Sequence, residues 1–169
     1  RTGRVLIWTT TPWTIPANMA VAVHPDEAYV LVDAGPYRYL LAEALLEPVM
    51  ERCGISEYTP VATVTGNALS QLVFSHPLYD RESPVVLASY VTMTDGTGVV
   101  HTAPGHGADD FQTGMMYGLD PYCPVDAHGR FMPGVGERIE GVPVQEANQL
   151  VIDWLDESGA LMAHEPYEH

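Results

Sequence analysis

Residues 28–42 read AYVLVDAGPYRYLLA, two runs rich in Val, Leu and Tyr on either side of a Gly-Pro pair. A pleated strand sends successive side chains to opposite faces, and Gly-Pro continues neither run, so the stretch reads as a β-hairpin. Upstream, RVLIWTT (4–10) is a short apolar strand and MAVAV (19–23) alternates as a strand with one buried face. Downstream, LAEALLEPVMERCG (41–54) has helical spacing with a Gly stop, and Pro48 is expected to kink or split it. YTPVATVTG (58–66) returns to strand character, and NALSQLVF (67–74) reads as one or two helical turns. SPVVLASYVTMTDGTGVVHTAP (83–104) gives two β-rich runs around Asp-Gly-Thr-Gly, a hairpin turn signal.

ADDFQTGMMYGLD (108–120) reads as a short helix with acidic residues at its start and Gly118 at its end. Residues 121–144 are rich in Gly and Pro and read as loops with short strands. VQEANQLVIDWLDESGA (144–160) is an amphipathic helix with Ala147, Leu150, Val151, Trp154 and Leu155 at helical spacing. Many short strands with few helices make the expected fold mainly β: a barrel-like core with peripheral helices, in a single domain over 1–169.

Composition narrows the function classes. Of 169 residues, 46% are hydrophobic and 17% charged, and no apolar run approaches the length that crosses a bilayer, so no membrane partner is expected. Seven Lys plus Arg stand against 22 Asp plus Glu, for a net charge of −15. All seven cations are arginines (Arg1, Arg4, Arg38, Arg52, Arg81, Arg130 and Arg138), and they are scattered. A free-standing nucleic-acid binder needs a basic stripe, because phosphate neutralisation supplies most of its affinity. If this chain meets nucleic acid, something else delivers it or only a terminal nucleotide enters. The opening Arg1 and the closing LMAHEPYEH suggest a domain excised from a longer polypeptide. Cys53 and Cys123 lack metal-type spacing and read as two reduced thiols of a cytosolic domain.

Two constellations carry chemistry. The first is WTTTPWTIPAN (8–18). On a strand, Thr9 and Thr11 share one face and Thr10 takes the other, unless Pro12 bends the chain at that point, and Pro12 fixes the exit. Such a corner presents hydroxyls and free backbone groups to a ligand, although threonine is also common on half-buried strands. The second is HTAPGHGADDF (101–111), which gathers His101, His106, Asp109 and Asp110 between a strand and a helix. It has three readings: two imidazoles and carboxylates holding a metal, acidic residues complementing a helix dipole, or a carboxylate awaiting a cationic substrate group. Pro104 and Gly105 separate the histidines, unlike the single helix face of H-E-x-x-H. No nucleophile elbow, Walker motif or dinucleotide fingerprint is present, and neither cysteine has a neighbouring His. His24, His76, His128, His164 and His169 read as ordinary surface or capping residues. Any hydrolysis here therefore uses water placed by hydroxyls and a carboxylate.

WTTTPWTIPAN together with GTGVVHTAPGHGADDF resembles the editing domain of isoleucyl-tRNA synthetases, an insertion in the class I catalytic core. PVDAHGRF (124–131) and the closing GALMAHEPYEH (159–169) extend the resemblance over essentially the whole chain. Relatives from valine and leucine enzymes typically carry Thr-Thr-Arg-Pro-Glu/Asp-Thr where this chain has Thr-Thr-Thr-Pro-Trp-Thr, which selects the isoleucine branch.

The resemblance implies a closed six-stranded β-barrel with surrounding helices, and hydrolysis of valine mischarged on isoleucine tRNA, with valyl-adenylate a further possible substrate. One missing methylene is worth only about 10–200-fold in discrimination, isoleucine against valine being the standard illustration, so a second sieve has to remove the smaller product. By the same resemblance Asp110 receives the α-ammonium of the valyl group, and His101 lines the side-chain pocket and excludes isoleucine. Thr9, Thr10 and Thr11 bind the ester region, with Thr10 or Thr11 placing the water. Trp13 walls the pocket, Asn18 bonds near the terminal ribose, His106 joins the binding residues, and the turn through Gly98 admits the terminal adenosine. The general base stays open between a protein group and a ribose hydroxyl. The partners implied are the 3′ end of the mischarged tRNA and the rest of the synthetase in cis, in the cytoplasm. No metal or cofactor is implied in this domain, the parent enzyme using ATP and Mg. The alternatives are a valine-type editing domain acting on threonyl-tRNA, a metal-dependent hydrolase using His101, His106 and Asp109 or Asp110, and a non-catalytic binding module.

Overall fold

The computed structural model describes residues 2–164; Arg1, His169 and the end of the GALMAHEPYEH stretch lie outside the described residues. The chain forms two compact units. One comprises the chain up to Thr9, Ala20–Phe74 and Glu82–His101; the other comprises Thr10–Met19, Ser75–Arg81 and the chain from Thr102 onward.

The first unit holds β1 (Thr2–Val5), β2 (Ala20–Val23), β3 (Ala28–Ala34), β4 (Tyr37–Ala42), α1 (Leu46–Arg52), β5 (Thr59–Thr65), β6 (Val73–Ser75), β7 (Glu82–Leu87) and β8 (Val99–Thr102), except that the last residues of β6 and β8, Ser75 and Thr102, belong to the second unit. The 28–42 hairpin is present as read. β3 and β4 pair antiparallel from Tyr29–Ala42 to Ala34–Tyr37, and Gly35 supplies the positive φ of 62° that the tight turn asks of its first central residue. Pro48 falls in the first turn of α1, where a missing N–H leaves no bond unmade, and a short 3-10 turn (Glu43–Leu45) precedes it. β2 is buried at all four positions rather than on one face, and a 3-10 turn (Gly66–Leu69) and β6 share the 67–74 stretch.

The closed six-stranded barrel is not formed. Among the described residues, eight strands make two four-stranded sheets, in the orders β1-β4-β3-β5 and β6-β7-β2-β8. Closure requires a ladder between outer strands. β5 is exposed at all seven residues, and the continuation of β1 meets β8 through a single bridge, Trp8 to Val100. That extended segment then runs into Pro12, which has no N–H for a ladder. The Asp-Gly-Thr-Gly turn does not close a hairpin either, because β2 lies between β7 and β8 and pairs parallel with β7. Its glycines instead make room. A side chain on Gly96 would collide with the Trp8 indole, and one on Gly98 (φ 75°) with Ala42.

Tyr29 ties this unit together. Its side chain is fully buried, and its hydroxyl accepts the His24 N–H at 2.9 Å and donates to the Gly98 carbonyl at 2.5 Å. One phenol thereby satisfies a loop after β2 and the turn before β8.

In the second unit, α2 (Ala108–Tyr117) ends at Gly118 in the left-handed conformation, as read. α3 (Val144–Glu157) buries Ala147, Val151 and Ile152, whereas Leu150, expected on the apolar face, is exposed. Phe131, Val135 and Ile139 complete the core beside it, in the irregular 121–144 region. The segment Thr9–Thr11 is not a strand, so the expected alternation of its side chains does not apply; a 3-10 helix (Pro12–Ala17) follows and packs on α3. Both cysteines are free thiols.

Replacing Tyr29 with Phe leaves the His24 N–H and the Gly98 carbonyl without the hydroxyl inside the core. The expected cost is about 1–3 kcal/mol, read as a lower urea midpoint with an unchanged m-value; an unchanged midpoint contradicts the role given to this hydroxyl.

Candidate functional site

Both chemistry-bearing stretches contribute to the second unit. Thr10, Thr11, Trp13, Asn18, His106 and Asp110 belong to it, and Thr9, Gly98 and His101 to the first.

The threonine stretch is shaped by its prolines. Pro12 opens the 3-10 helix, where a missing N–H is tolerated, and Pro16 lies inside it. The Thr11 carbonyl accepts both the Thr14 N–H at 3.0 Å and the Thr14 hydroxyl at 2.9 Å, which locks the corner after the three threonines. The Trp13 N–H donates to Asn148 Oδ1 of α3 at 3.0 Å, and Ile15 O accepts the Asn18 N–H at 2.9 Å. Thr9, Thr10, Thr11 and Trp13 are half-buried; Asn18 is buried.

The histidine stretch comes to this wall in two places. The Met19 N–H donates to the Thr102 carbonyl at 2.9 Å, so the end of one motif is bonded to the start of the other. Beyond Thr102 the chain turns tightly, with His106 N–H on Ala103 O at 3.0 Å, and brings the His106 ring edge-on to Trp13 at 5.0 Å and 78°. Gly105 is required here, because a side chain would strike the Tyr122 backbone. Burial holds His106 below the ordinary imidazole range, which favours the neutral ring, and its Nε2 is buried without a hydrogen-bond partner among the described residues. An open cleft of about 410 Å³ is lined by Pro104, Gly105, His106, Gly107, Phe111 and Pro121, among others.

Asp110 stands in the first turn of α2 and reaches back, its Oδ2 accepting the Ala103 N–H at 3.0 Å. Burial pushes its carboxyl above the ordinary 3.8; the Ala103 bond opposes this and the neighbouring Asp109 adds to it. A desolvated carboxylate beside a second one is a place where a cationic ligand group gains most.

His101 is buried in β8. Gly98 is buried against Ala42, so the room its missing side chain leaves is taken within the fold. Among the described residues no three His, Cys, Asp or Glu side chains converge as metal ligands, which leaves the metal-hydrolase reading without a ligand set. Residue-type reasoning missed Thr14, His76, Arg81, Thr102 and Asn148. His76 is buried rather than at the surface, and no motif in the sequence marks Asn148, which meets Trp13 across 135 residues.

The family model described as "Leucyl-tRNA synthetase, editing domain" matches residues 3–130. The isoleucine–tRNA ligase of Synechococcus sp. is 51% identical over 165 residues, and that of Bacillus subtilis 48% over 166. These alignments cover 96% and 98% of this chain, which spans only 17% and 18% of the length of those relatives. Among solved structures, that of GlLeuRS-CP1 is similar at a TM-score of 0.75 and 16% identity, covering 98% of this chain and 85% of that one. The Plasmodium knowlesi cytosolic leucyl-tRNA synthetase editing domain follows at 0.70 and 13%, covering 92% and 82%. At these identities the structural likeness speaks for the fold. No helix among the described residues is long and apolar enough to cross a membrane.

The state of Asp110 has a measurable consequence. Because its carboxyl is raised in the folded chain, the native state binds more protons than the unfolded one between 3.8 and the raised value. Stability therefore falls as pH rises through that window, and the penalty persists above it. Asp110→Asn keeps an oxygen for the Ala103 N–H and removes the half-buried charge. The variant is expected to melt at a higher temperature than the parent at pH 7, and the difference to shrink as pH falls from the raised value towards 3.8 and to be lost below it; a lower melting temperature at pH 7 contradicts the assignment.

Proposed function

The chain belongs to the leucyl-tRNA synthetase editing-domain family, with isoleucine–tRNA ligases as half-identical relatives, and from that premise we propose that it hydrolyses valine mischarged on isoleucine tRNA. The observation that carries the reading is the contact of Trp13 with His106, which joins the two motifs beside a desolvated Asp110. The α-ammonium of the valyl group is the cation that Asp110 receives, and the charge-assisted contact recovers what burial of the carboxylate costs. The Thr10 and Thr11 hydroxyls place a water against the ester carbonyl; water adds, and the terminal ribose hydroxyl leaves. An aminoacyl ester is already reactive, so holding water and carbonyl in register supplies much of the acceleration without a covalent nucleophile. Trp13 and His106 wall the aminoacyl end, Thr9 and Asn18 bind on the ester and ribose side, and His101 is the steric gate against isoleucine. Gly98 serves adenosine recognition only through its backbone.

The acidic balance fits a domain that receives only the end of the tRNA, the body of the nucleic acid being gripped by the remainder of a cytoplasmic ligase that uses ATP and Mg. With net charge −15 and no lysine, the chain has no basic stripe of its own.

The decisive experiment uses a full-length isoleucine–tRNA ligase carrying this sequence and tRNA charged with valine. Asp110→Asn is expected to slow valine release about 10- to 150-fold, the worth of one hydrogen bond to a charged group, in a protein that is folded and not destabilised. His101→Ala is expected to expose isoleucyl-tRNA to hydrolysis. Unchanged valine release in the first variant overturns the ammonium assignment, and full protection of isoleucyl-tRNA in the second overturns the gate.

A further inference from the structure

The segment Ser75–Arg81 (SHPLYDR) lies outside both motifs, yet it reaches the backbone of the threonine stretch at two consecutive residues. His76 Nδ1 lies 3.0 Å from the Leu78 N–H and 3.3 Å from that of Tyr79, and accepts from both. A neutral imidazole with Nδ1 accepting carries its proton on Nε2. That proton points at the Ile15 carbonyl, 2.9 Å away. Arg81 Nη2 donates to the next carbonyl, Pro16 O, at 2.5 Å. The guanidinium lies over the Tyr79 ring at 5.2 Å and the Tyr122 ring at 5.4 Å, and its Nε is buried without a hydrogen-bond partner among the described residues. Tyr79 is itself pinned, with its hydroxyl on Val135 O at 2.6 Å and its ring edge-on to Trp154.

Ile15 and Pro16 lie in the last turn of the 3-10 helix; the Ile15 carbonyl already accepts the Asn18 N–H, and His76 takes its second lone pair, while Arg81 serves the Pro16 carbonyl. The strap thus supplies two donors to the C-terminal end of the helix whose first turn carries Trp13 and follows Thr11. At the other end, Asn148 holds the Trp13 N–H.

We propose that His76 is a positioning residue: through Nε2–H and the Ile15 carbonyl it holds the backbone of Thr11–Asn18 in the conformation on which placement of the water by Thr10 and Thr11 depends. The second half of that statement rests on the editing reading above. Burial lowers His76 to about 4, the Ile15 bond opposing and Arg81 assisting, so the single-donor tautomer persists at neutral pH. Arg81 secures the adjacent carbonyl with a second donor, over a helix end that favours positive charge.

The two halves of the imidazole can be tested separately. His76→Gln keeps a donor near the Nε2 position and loses the turn acceptor; His76→Asn keeps an acceptor near Nδ1 and loses the donor to Ile15. In the 169-residue chain, hydrogen exchange at the Thr14 and Asn18 amides is expected to speed up about tenfold in His76→Asn, the worth of one net hydrogen bond, and to stay near the parent rate in His76→Gln. In the full-length ligase, valine release is expected to lose about tenfold in kcat with KM unchanged in His76→Asn, and to be restored by Gln. The reverse order, with Asn intact and Gln impaired, overturns the proposal and leaves the ring serving only its own turn. Equal exchange in parent and both variants overturns it as well. Should His76→Asn fail to fold, Arg81→Met removes the neighbouring donor and is expected to give the same loss of kcat alone; a rise in KM alone overturns the positioning role. If the exchange pattern appears but not even the parent releases valine, the editing reading fails while the clamp on Ile15 stands.

Discussion

Irregular backbone can be buried only if its carbonyls and amides find partners, and the Thr14–Asn18 segment is buried throughout. Two prolines in that segment's helix withhold N–H groups and prevent the regular ladder that would otherwise satisfy it. The second unit is organised around meeting this demand: Thr14 closes on Thr11, Asn148 receives Trp13, His76 and Arg81 cap Ile15 and Pro16, and Met19 bonds Thr102. Apart from the local Thr11–Thr14 bond, the partners come from three parts of the chain, His76–Arg81, Thr102 and Asn148. A site wall made this way is stiff because its conformation is over-determined, which suits a reaction that depends on placing a water molecule.

The same unit concentrates an electrostatic cost at one carboxylate. A chain with 22 acidic residues could expose all of them, yet Asp110 is drawn back over the loop it anchors and is desolvated there. Such a group lowers the stability of the empty fold and raises the value of a cationic ligand. On the proposed reading, the tension between stability and function is located in this residue and is read with a neutral isostere.

Strand content, the 28–42 hairpin, α2 with its Gly118 stop, and α3 were legible from period and punctuation, because these signals are local. The open sheets were not. Whether outer strands join depends on pairing between distant segments, and here β5 stays exposed while β1 ends at Val5 and its continuation makes a single bridge, Trp8 to Val100. The Asp-Gly-Thr-Gly turn misled for a related reason: its glycines are explained by the bulk of Trp8 and Ala42, not by a hairpin. Within the site, Asp110 and His106 announced themselves by residue type in a Gly/Pro-broken loop. His76 and Asn148 did not, since a histidine before proline and an asparagine on a helix have many ordinary uses.

By itself the sequence determined the ordered pair of motifs, the acidic balance and the residue types able to meet an ammonium group and a reactive ester. Those properties survive in an unfolded chain. Only the tertiary structure decided that the threonines leave the sheet rather than extend it, that Trp13 meets His106, and that Asp110 is desolvated. Each of these depends on which groups lie within a few ångströms after folding, and hydrogen bonds and burial, unlike composition, exist only at that range.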